Sequence, residues 1–351
     1  MKKIKISLCT VCMNRLHHVR QTIPVNIEDN NDYDNLEFIL LDYNSSDGLE
    51  DWVKKEMKPY VESGRLKYYR TEEPKFFDRT HSRNLAFKLA GGEIVCNIDA
   101  DNFTGKGYAT YINEEFNKER EIFIVADTKK RYYFLRNAFG RFSCSKEAYL
   151  NIGGMDESMS SYGCETMDLY ERMELLGLKE VVIKNTNFLK AISHTDDERI
   201  ANEFFLRNID RFYIRFHSFE KSEILFLFKN NSYERCVIIP EKIETHLPAT
   251  LQEGTLQTGT WAQNDEILKL NNDNSLYHIV GNCLQKNEDI NQVYYKIENM
   301  QFLKRVAKDY SFIINTKKLQ MRKNEKHIKV NPLSFGSGKV TFNFGQVIST
   351  F

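Results

Sequence analysis

The sequence predicts an α/β fold: a mostly parallel sheet flanked by helices over residues 1–220, then a smaller β-rich domain over residues 221–351. Two observations predict it. Short strand-like runs alternate with longer stretches of helical periodicity from residue 4 to about 98, the signature of βαβ units. From residue 224 onward, short apolar runs recur instead between Asn, Gly and Asp clusters. At 351 residues the chain also exceeds the ~250 to 300 residues at which one core stops growing, so two domains are expected.

The first-domain strands are placed at residues 6–11, 37–41, 66–69 and 94–98. Apolar residues at helical spacing fill 15–28, 49–62 and 82–90, and Gly91 with Gly92 stops the last of these helices. Further strands are expected near 122–125 and 181–183, with helices near 167–176 and 199–219. The C-terminal runs lie at 224–228, 236–239, 267–270, 277–280 and 340–344. There is no internal repeat and no low-complexity tract.

Lys+Arg and Asp+Glu both number 49, so no net field gathers nucleic acid or anionic lipid, and no nucleic-acid partner is expected. The first residues alternate polar and apolar, which reads as a strand and not as a signal peptide. No uninterrupted apolar run reaches the ~20 residues of a membrane helix. Seven scattered cysteines suit a reducing compartment, so a cytoplasmic protein is expected. Cys9 and Cys12 have C-x-x-C spacing, but on a strand they point to opposite faces and read as structural. His17 and His18 open a helix, where adjacent side chains diverge. Arg207, Arg211 and Arg215 form a basic stripe on the expected helix 199–219, beside Phe204, Phe205, Phe212, Phe216 and Phe219. Such a helix either lies on a membrane surface, peripherally, or docks its aromatics on the domain.

Asp99 and Asp101 follow a buried-looking strand, where side chains two apart share a side. In open α/β sheets ligands bind beyond the carboxyl ends of strands. Paired carboxylates there suit Mg²⁺ or Mn²⁺, which neutralises the charge growing on a departing phosphate. The other reading of Asp-x-Asp alone is a surface turn capped by two aspartates.

Further segments stand in a matching order. The loop Thr10 to Arg15, the segment Leu41 to Gly48 with Asp42 and Asp47, the run Arg83, Asn84, Leu85, Ala86, and then Asp99, Ala100, Asp101 together resemble the nucleotide-binding half of GT-A glycosyltransferases. Downstream, Gly153, Gly154, Met155, Asp156, Glu157 and the stretch Tyr162 to Leu169 resemble that fold's acceptor-side motifs, of the galactosyltransferase type. The resemblance covers roughly the first 200 residues. It implies transfer of a sugar from a nucleotide-diphosphate donor, a UDP-sugar, to a glycan or lipid-linked acceptor.

By this resemblance Thr10 and Asn14 hold base and ribose, and Asp42 accepts from the base. Asp47 caps the following helix. Arg83 pairs with the diphosphate or, without donor, with Asp99; Arg79 and His81 are weaker candidates in the same loop. Asp99 contacts the ribose and Asp101 ligates the metal. Asp156 binds a hydroxyl of the transferred sugar. Glu165, ahead of an amphipathic helix, is the candidate general base. Thr166 stands where the family often has a second carboxylate, and a threonine takes no proton. Asp168, four residues before Arg172, fits an intrahelical ion pair. His194 lies where related enzymes place a third metal ligand. A glycan-binding protein that has lost turnover is the alternative reading.

Overall fold

The computed structural model describes residues 1–126, 138–159, 161–218, 221–240, 249–286 and 289–350. They fall into two units: residues 1–160, 164–195 and 319–351 form the first, and residues 161–163 and 196–318 the second. The division thus falls near residue 195 and not at 220, and residues 319–351 return to the first unit.

The first unit runs β1 (Ile6–Cys12), α1 (Leu16–Asp29), β2 (Leu36–Tyr43), α2 (Leu49–Glu56), α3 (Lys58–Glu62), β3 (Leu66–Thr71), α4 (Arg79–Leu89) and β4 (Ile94–Asn97). It continues through α5 (Tyr108–Lys118), β5 (Ile122–Val125), β6 (Phe142–Ser145), α6 (Lys146–Asn151), α7 (Glu165–Leu175) and β7 (Lys179–Val182). Strands β1 to β4 are parallel, whereas β6 runs antiparallel to β4 and β5. Every residue of β1, β2 and β4 is buried, as central strands covered by helices on both faces must be. Alternation sorts β1 into two cores: Ile6, Leu8 and Cys12 pack with α1 residues such as Val19, while Cys9 and Val11 pack with Leu85 and Phe87 of α4. Cys9 and Cys12 therefore face opposite sides.

Two helices depart from the expected bounds. The stretch 49–62 divides at Met57, because Pro59 lacks the N–H that a continuous helix needs there. Helix α4 begins at Arg79, since Asp78 accepts from the backbone N–H of Thr80 and His81 and caps it.

The second unit contains α8 (Asp196–Ile200), α9 (Phe204–Asn208), β8 (Ile209–Ser218), β9 (Lys221–Phe228), β10 (Ser232–Pro240), β11 (Ala249–Leu251), β12 (Gln257–Asn264), β13 (Ile267–Leu270), β14 (Ser275–Val280), β15 (Cys283–Lys286) and β16 (Asp289–Lys296). Because β10 pairs with both β9 and β12, and β16 pairs with β8, the strands close into a barrel, with β11 added beside β10. Helix α10 (Met300–Glu325) follows; its residues up to 318 belong to this unit, where Leu303, Ala307, Tyr310 and Ile313 cover Phe212, Ile224 and Phe226. The alternate residues Tyr213, Leu225 and Leu227 fill a second cluster with Leu268, Tyr277 and Tyr294.

The helix expected over 199–219 is two short helices and a strand. Ile209, Phe212, Tyr213 and Ile214 favour a pleated surface, and pairing with β9 overrides the four-residue spacing of the arginines. Arg207 lies in α9, while Arg211 bonds Gln263 and Arg215 pairs with Glu223. The membrane-surface reading loses the helix on which it stood; Phe219 lies outside the described residues. Among the described residues no helix is long and apolar enough to cross a membrane.

Residues 338–350 form the hairpin β17 (Gly338–Phe342) and β18 (Gln346–Thr350), and β17 pairs antiparallel with β3. The run expected at 340–344 thus extends the sheet of the first unit. Phe344 stacks on Tyr68 and Phe342 lies against Tyr69, at centroid distances of 5.0 and 4.9 Å.

Candidate active site

Parallel pairing sets the carboxyl ends of β1, β2 and β4 on one edge of the sheet. The loops after β1 and β2 are tied together there. Asn14, in the left-handed region at φ 56°, accepts through Oδ1 from Ser46 N (2.7 Å) and donates its own N–H to Ser45 Oγ (2.9 Å). Asp47 Oδ2 accepts from Leu16 N at 2.8 Å, so it caps α1 and not the helix that follows it. Thr10 is buried within β1.

The loop after β4 carries the paired aspartates. Asp101 is 7% exposed, and its Oδ2 lies 3.0 Å from Nε2 of His194. Backbone pairing makes this contact: Ile192 N donates to Asp101 O (2.8 Å), Phe103 N donates to Lys190 O (2.9 Å), and Asn102 bridges Ala191. His194 Nδ1 faces the carbonyl of Thr195 at 3.1 Å. A carbonyl and a carboxylate both only accept, so each ring nitrogen faces an acceptor, and the contact from Nε2 to Asp101 is a hydrogen-bonded pair. One oxygen and one imidazole nitrogen 3.0 Å apart match adjacent corners of an octahedron with bonds of about 2.1 Å. The pair therefore fits a divalent cation that accepts both donor types.

Asp99 faces a second, basic corner. Its Oδ1 accepts from Arg83 Nη2 and from Asn97 Nδ2, both at 2.9 Å. Burial pushes this carboxyl up, but Arg83 and Asn97 outweigh it and hold the group below its ordinary value. Arg83 is itself buried and reaches Glu165 Oε1 at 3.6 Å; Arg79 Nε reaches the same oxygen at 3.6 Å. Glu165 opens α7, so the helix dipole adds to the two guanidinium charges around its carboxylate. A Cβ on Gly140 would collide with Asp99 Oδ2 and stand 3.2 Å from Arg83 Nη2, so only glycine fits behind this ion pair.

A polar stripe on α1 supports the loop between the two corners. Thr22 Oγ1 donates to Ala100 O (2.7 Å), and Asn26 Nδ2 donates to Asn102 O (2.9 Å) while its Oδ1 accepts from Thr104 N (2.8 Å). Asn30 Nδ2 donates to Thr104 Oγ1 (2.9 Å), and its Oδ1 accepts from Ala109 N (2.8 Å). One turn earlier, the ring of His18 lies 5.3 Å from that of His194. Sequence reasoning set His18 aside as a residue diverging from His17. The missed signal was His18, Thr22, Asn26 and Asn30 recurring every four residues, one face of a helix.

Residues 7–156 match the family model described as glycosyl transferase family 2, and residues 120–195 match that described as N-terminal domain of galactosyltransferase. Residues 7–195 are a glycosyltransferase domain of the GT-A fold. No curated protein matches the chain. Similar solved structures include the mannosyltransferase PcManGT from Pyrobaculum calidifontis in complex with GDP-Man and Mn²⁺, at 18% identity over 52% of this chain and 55% of that one, TM-score 0.43. Others are S. aureus TarS 1-349 in complex with UDP (15%, 52% and 58%, 0.43) and GalNAc-T7 with UDP, GalNAc and Mn²⁺ (11%, 85% and 80%, 0.45). The chain spans a little over half the length of the first two.

Within the glycosyltransferase domain, two residues expected to meet the donor are already engaged. Asp42 is 0% exposed: Tyr68 and Arg70 donate to its Oδ2 and Ser45 N donates to its Oδ1, so its carboxylate is engaged within the protein. Asp156 accepts from Ser158 N and Ser158 Oγ and pairs with Arg322. The turn at Gly153 and Gly154 admits the chain itself and not a ligand. A Cβ on Gly153 would stand 2.5 Å from Val330 O, and one on Gly154 would stand 2.7 Å from the Phe335 ring and collide with Asn84. Asn331 Nδ2 donates to Gly153 O (2.8 Å), its Oδ1 accepts from Glu157 N (3.0 Å), and Glu157 Oε1 accepts from Gly336 N (2.7 Å). Residues 322–336 therefore bind the whole turn of residues 153–157, which nothing local in the sequence announced. Asp168 forms the expected pair with Arg172 at 2.8 Å. His81 faces Tyr43 Oη and Ser337 O, a structural role.

Proposed function

We propose that the chain transfers a hexose or N-acetylhexosamine from a uridine-diphosphate donor to a hydroxyl of a glycan or lipid-linked acceptor, in bacterial surface-polysaccharide synthesis. Asp101 and His194 hold the divalent cation in this reading, and the imidazole favours Mn²⁺ over Mg²⁺. The observation that carries it is the 3.0 Å approach of these two side chains beside the Asp99, Arg83 and Glu165 cluster. When bound, the cation supplies Lewis-acid stabilisation of the departing diphosphate.

The chain's own residues do the rest. Asn14 and Thr10 shape the floor for the base and ribose, and Asp99 receives the ribose. Arg83 exchanges part of its hold on Asp99 for the diphosphate, as a planar guanidinium readily does. Glu165, placed beside Arg79 and Arg83, takes the proton of the acceptor hydroxyl as its oxygen bonds the anomeric carbon. The bond from that carbon to the diphosphate oxygen breaks, and UDP leaves with the electron pair. Asp42 and Asp156 are not part of this donor set, because their carboxylates are engaged within the protein.

Titration calorimetry of UDP with and without Mn²⁺ tests the reading. Metal-dependent heat is expected from the wild type and none from Asp101→Ala. Heat that ignores Mn²⁺, or persists unchanged in the variant, removes the assignment. Thr166 at the place of a second carboxylate favours a glycan-binding protein without turnover as the second reading. Release of UDP from UDP-sugars by the intact protein excludes that alternative.

A further inference from the structure

We propose that Asn102, held in one orientation by Arg141, is a positioning residue that aims the Asp101 carboxylate at the cation. The proposal rests on Asp101 and His194 being the cation's ligands. A carboxylate that binds a metal through one oxygen needs its other oxygen fixed, or the ligand rotates away. Here Oδ2 of Asp101 faces His194, and Oδ1 accepts from Asn102 Nδ2 at 3.0 Å.

An amide can present either its oxygen or its NH₂, and only its surroundings decide which. Asn102 is 0% exposed, and its Oδ1 accepts from Arg141 Nη2 at 3.1 Å. Turning the amide over would set NH₂ against a guanidinium and oxygen against a carboxylate, two repulsive contacts in place of two hydrogen bonds. Arg141 therefore dictates the polarity that Asp101 meets. Arg141 is in turn 0% exposed, its guanidinium 5.5 Å from the centre of the Tyr108 ring. The backbone of Asn102 is held from three sides: its N–H donates to Asp99 O (2.9 Å), its carbonyl accepts from Asn26 Nδ2 (2.9 Å), and it bridges Ala191. A side chain so confined, yet in contact with the candidate ligand, sets the ligand's direction without touching donor or acceptor.

The test measures Mn²⁺ affinity of the nucleotide-free protein from the electron paramagnetic resonance signal of the free ion. Asn102→Ala is expected to raise the dissociation constant about ten- to a hundredfold. Asn102→Ser, which keeps a short donor, should fall between it and the wild type. In turnover assays the Mn²⁺ concentration for half-maximal rate rises with the same ranking, while kcat at saturating Mn²⁺ stays within about twofold. A folded Asn102→Ala protein with wild-type Mn²⁺ affinity overturns the proposal while leaving the cation site intact, as loss of binding in Asp101→Ala would show. Should Asn102→Ala fail to fold, unchanged affinity in Asn102→Ser overturns it equally. Absence of Mn²⁺ binding by the wild type overturns the cation site and this proposal together.

Discussion

Arg322, in the last turn of α10, pairs with both Asp156 and Asp168 and so joins the end of a late helix to a turn 166 residues earlier. Asp168 also holds Arg172, so two guanidiniums and two carboxylates form one network. All but Arg322 are buried, and Arg322 keeps only 19% of its side chain exposed.

Replacing Arg322 by alanine leaves Asp156, among the described residues, with Ser158 as its side-chain partner inside the protein. Breaking a buried pair costs about 3–5 kcal/mol, and the partial exposure of Arg322 places this one near the lower end. Urea unfolding should show Arg322→Ala about 3 kcal/mol less stable, with an unchanged slope. A loss under ~1 kcal/mol would show that the network contributes little.

Acid should weaken the domain through its buried carboxylates. Burial raises the carboxyl of Glu37, but Lys67, Ser7 and the Gly91 N–H outweigh it and hold the group below its ordinary value; Arg322 and Ser158 do the same for Asp156. A depressed folded value means that the unfolded chain takes up protons first. These contributions are present above the unfolded values of about 4 and are lost as pH falls through the lower folded ones. Glu37→Gln should therefore be less stable at neutral pH and lose less on acidification. Melting temperatures of both proteins from pH 7 to 3 check this, and parallel curves would exclude Glu37 as a source.

The central strands and the paired aspartates were legible because buried parallel strands write themselves as continuous apolar runs, and Asp99 and Asp101 stand together in the chain. His194 was legible only through its place in a series of motifs. Asp42 and Asp156 were read as open to the donor, and their engagement by Arg70 and Arg322 was not legible, because those partners are set by tertiary packing. The strand at 209–218 hid behind arginines at four-residue spacing, which suits one face of either element. The return of residues 319–351 to the first sheet was illegible for the same reason: an edge strand and a β-domain strand share one composition.

Gly140→Ala should separate geometry from folding at the basic corner. The new methyl group meets Asp99 Oδ2 and, at 3.2 Å, Arg83 Nη2, so the pair must part by a few tenths of an ångström or more. Displacing the carboxylate by about an ångström can lower transfer about a hundredfold, whereas melting should shift by only a few degrees. Activity within twofold of wild type would mean that the Asp99 and Arg83 contact is not needed in catalysis.

Glu165→Gln tests the proton step itself. Glutamine keeps the shape of the side chain at the head of α7, and Arg79 and Arg83 retain an oxygen to face, but a neutral amide accepts no proton. Removing a general base typically costs 10²- to 10⁴-fold in rate. Transfer to the acceptor should fall by that factor, while Mn²⁺ and UDP bind as in the wild type, since neither relies on this carboxylate. Steady-state assays with calorimetry on the same preparation read both quantities. A variant that transfers at the wild-type rate would remove Glu165 as the base, and one that loses UDP binding instead would assign the residue to holding the two arginines.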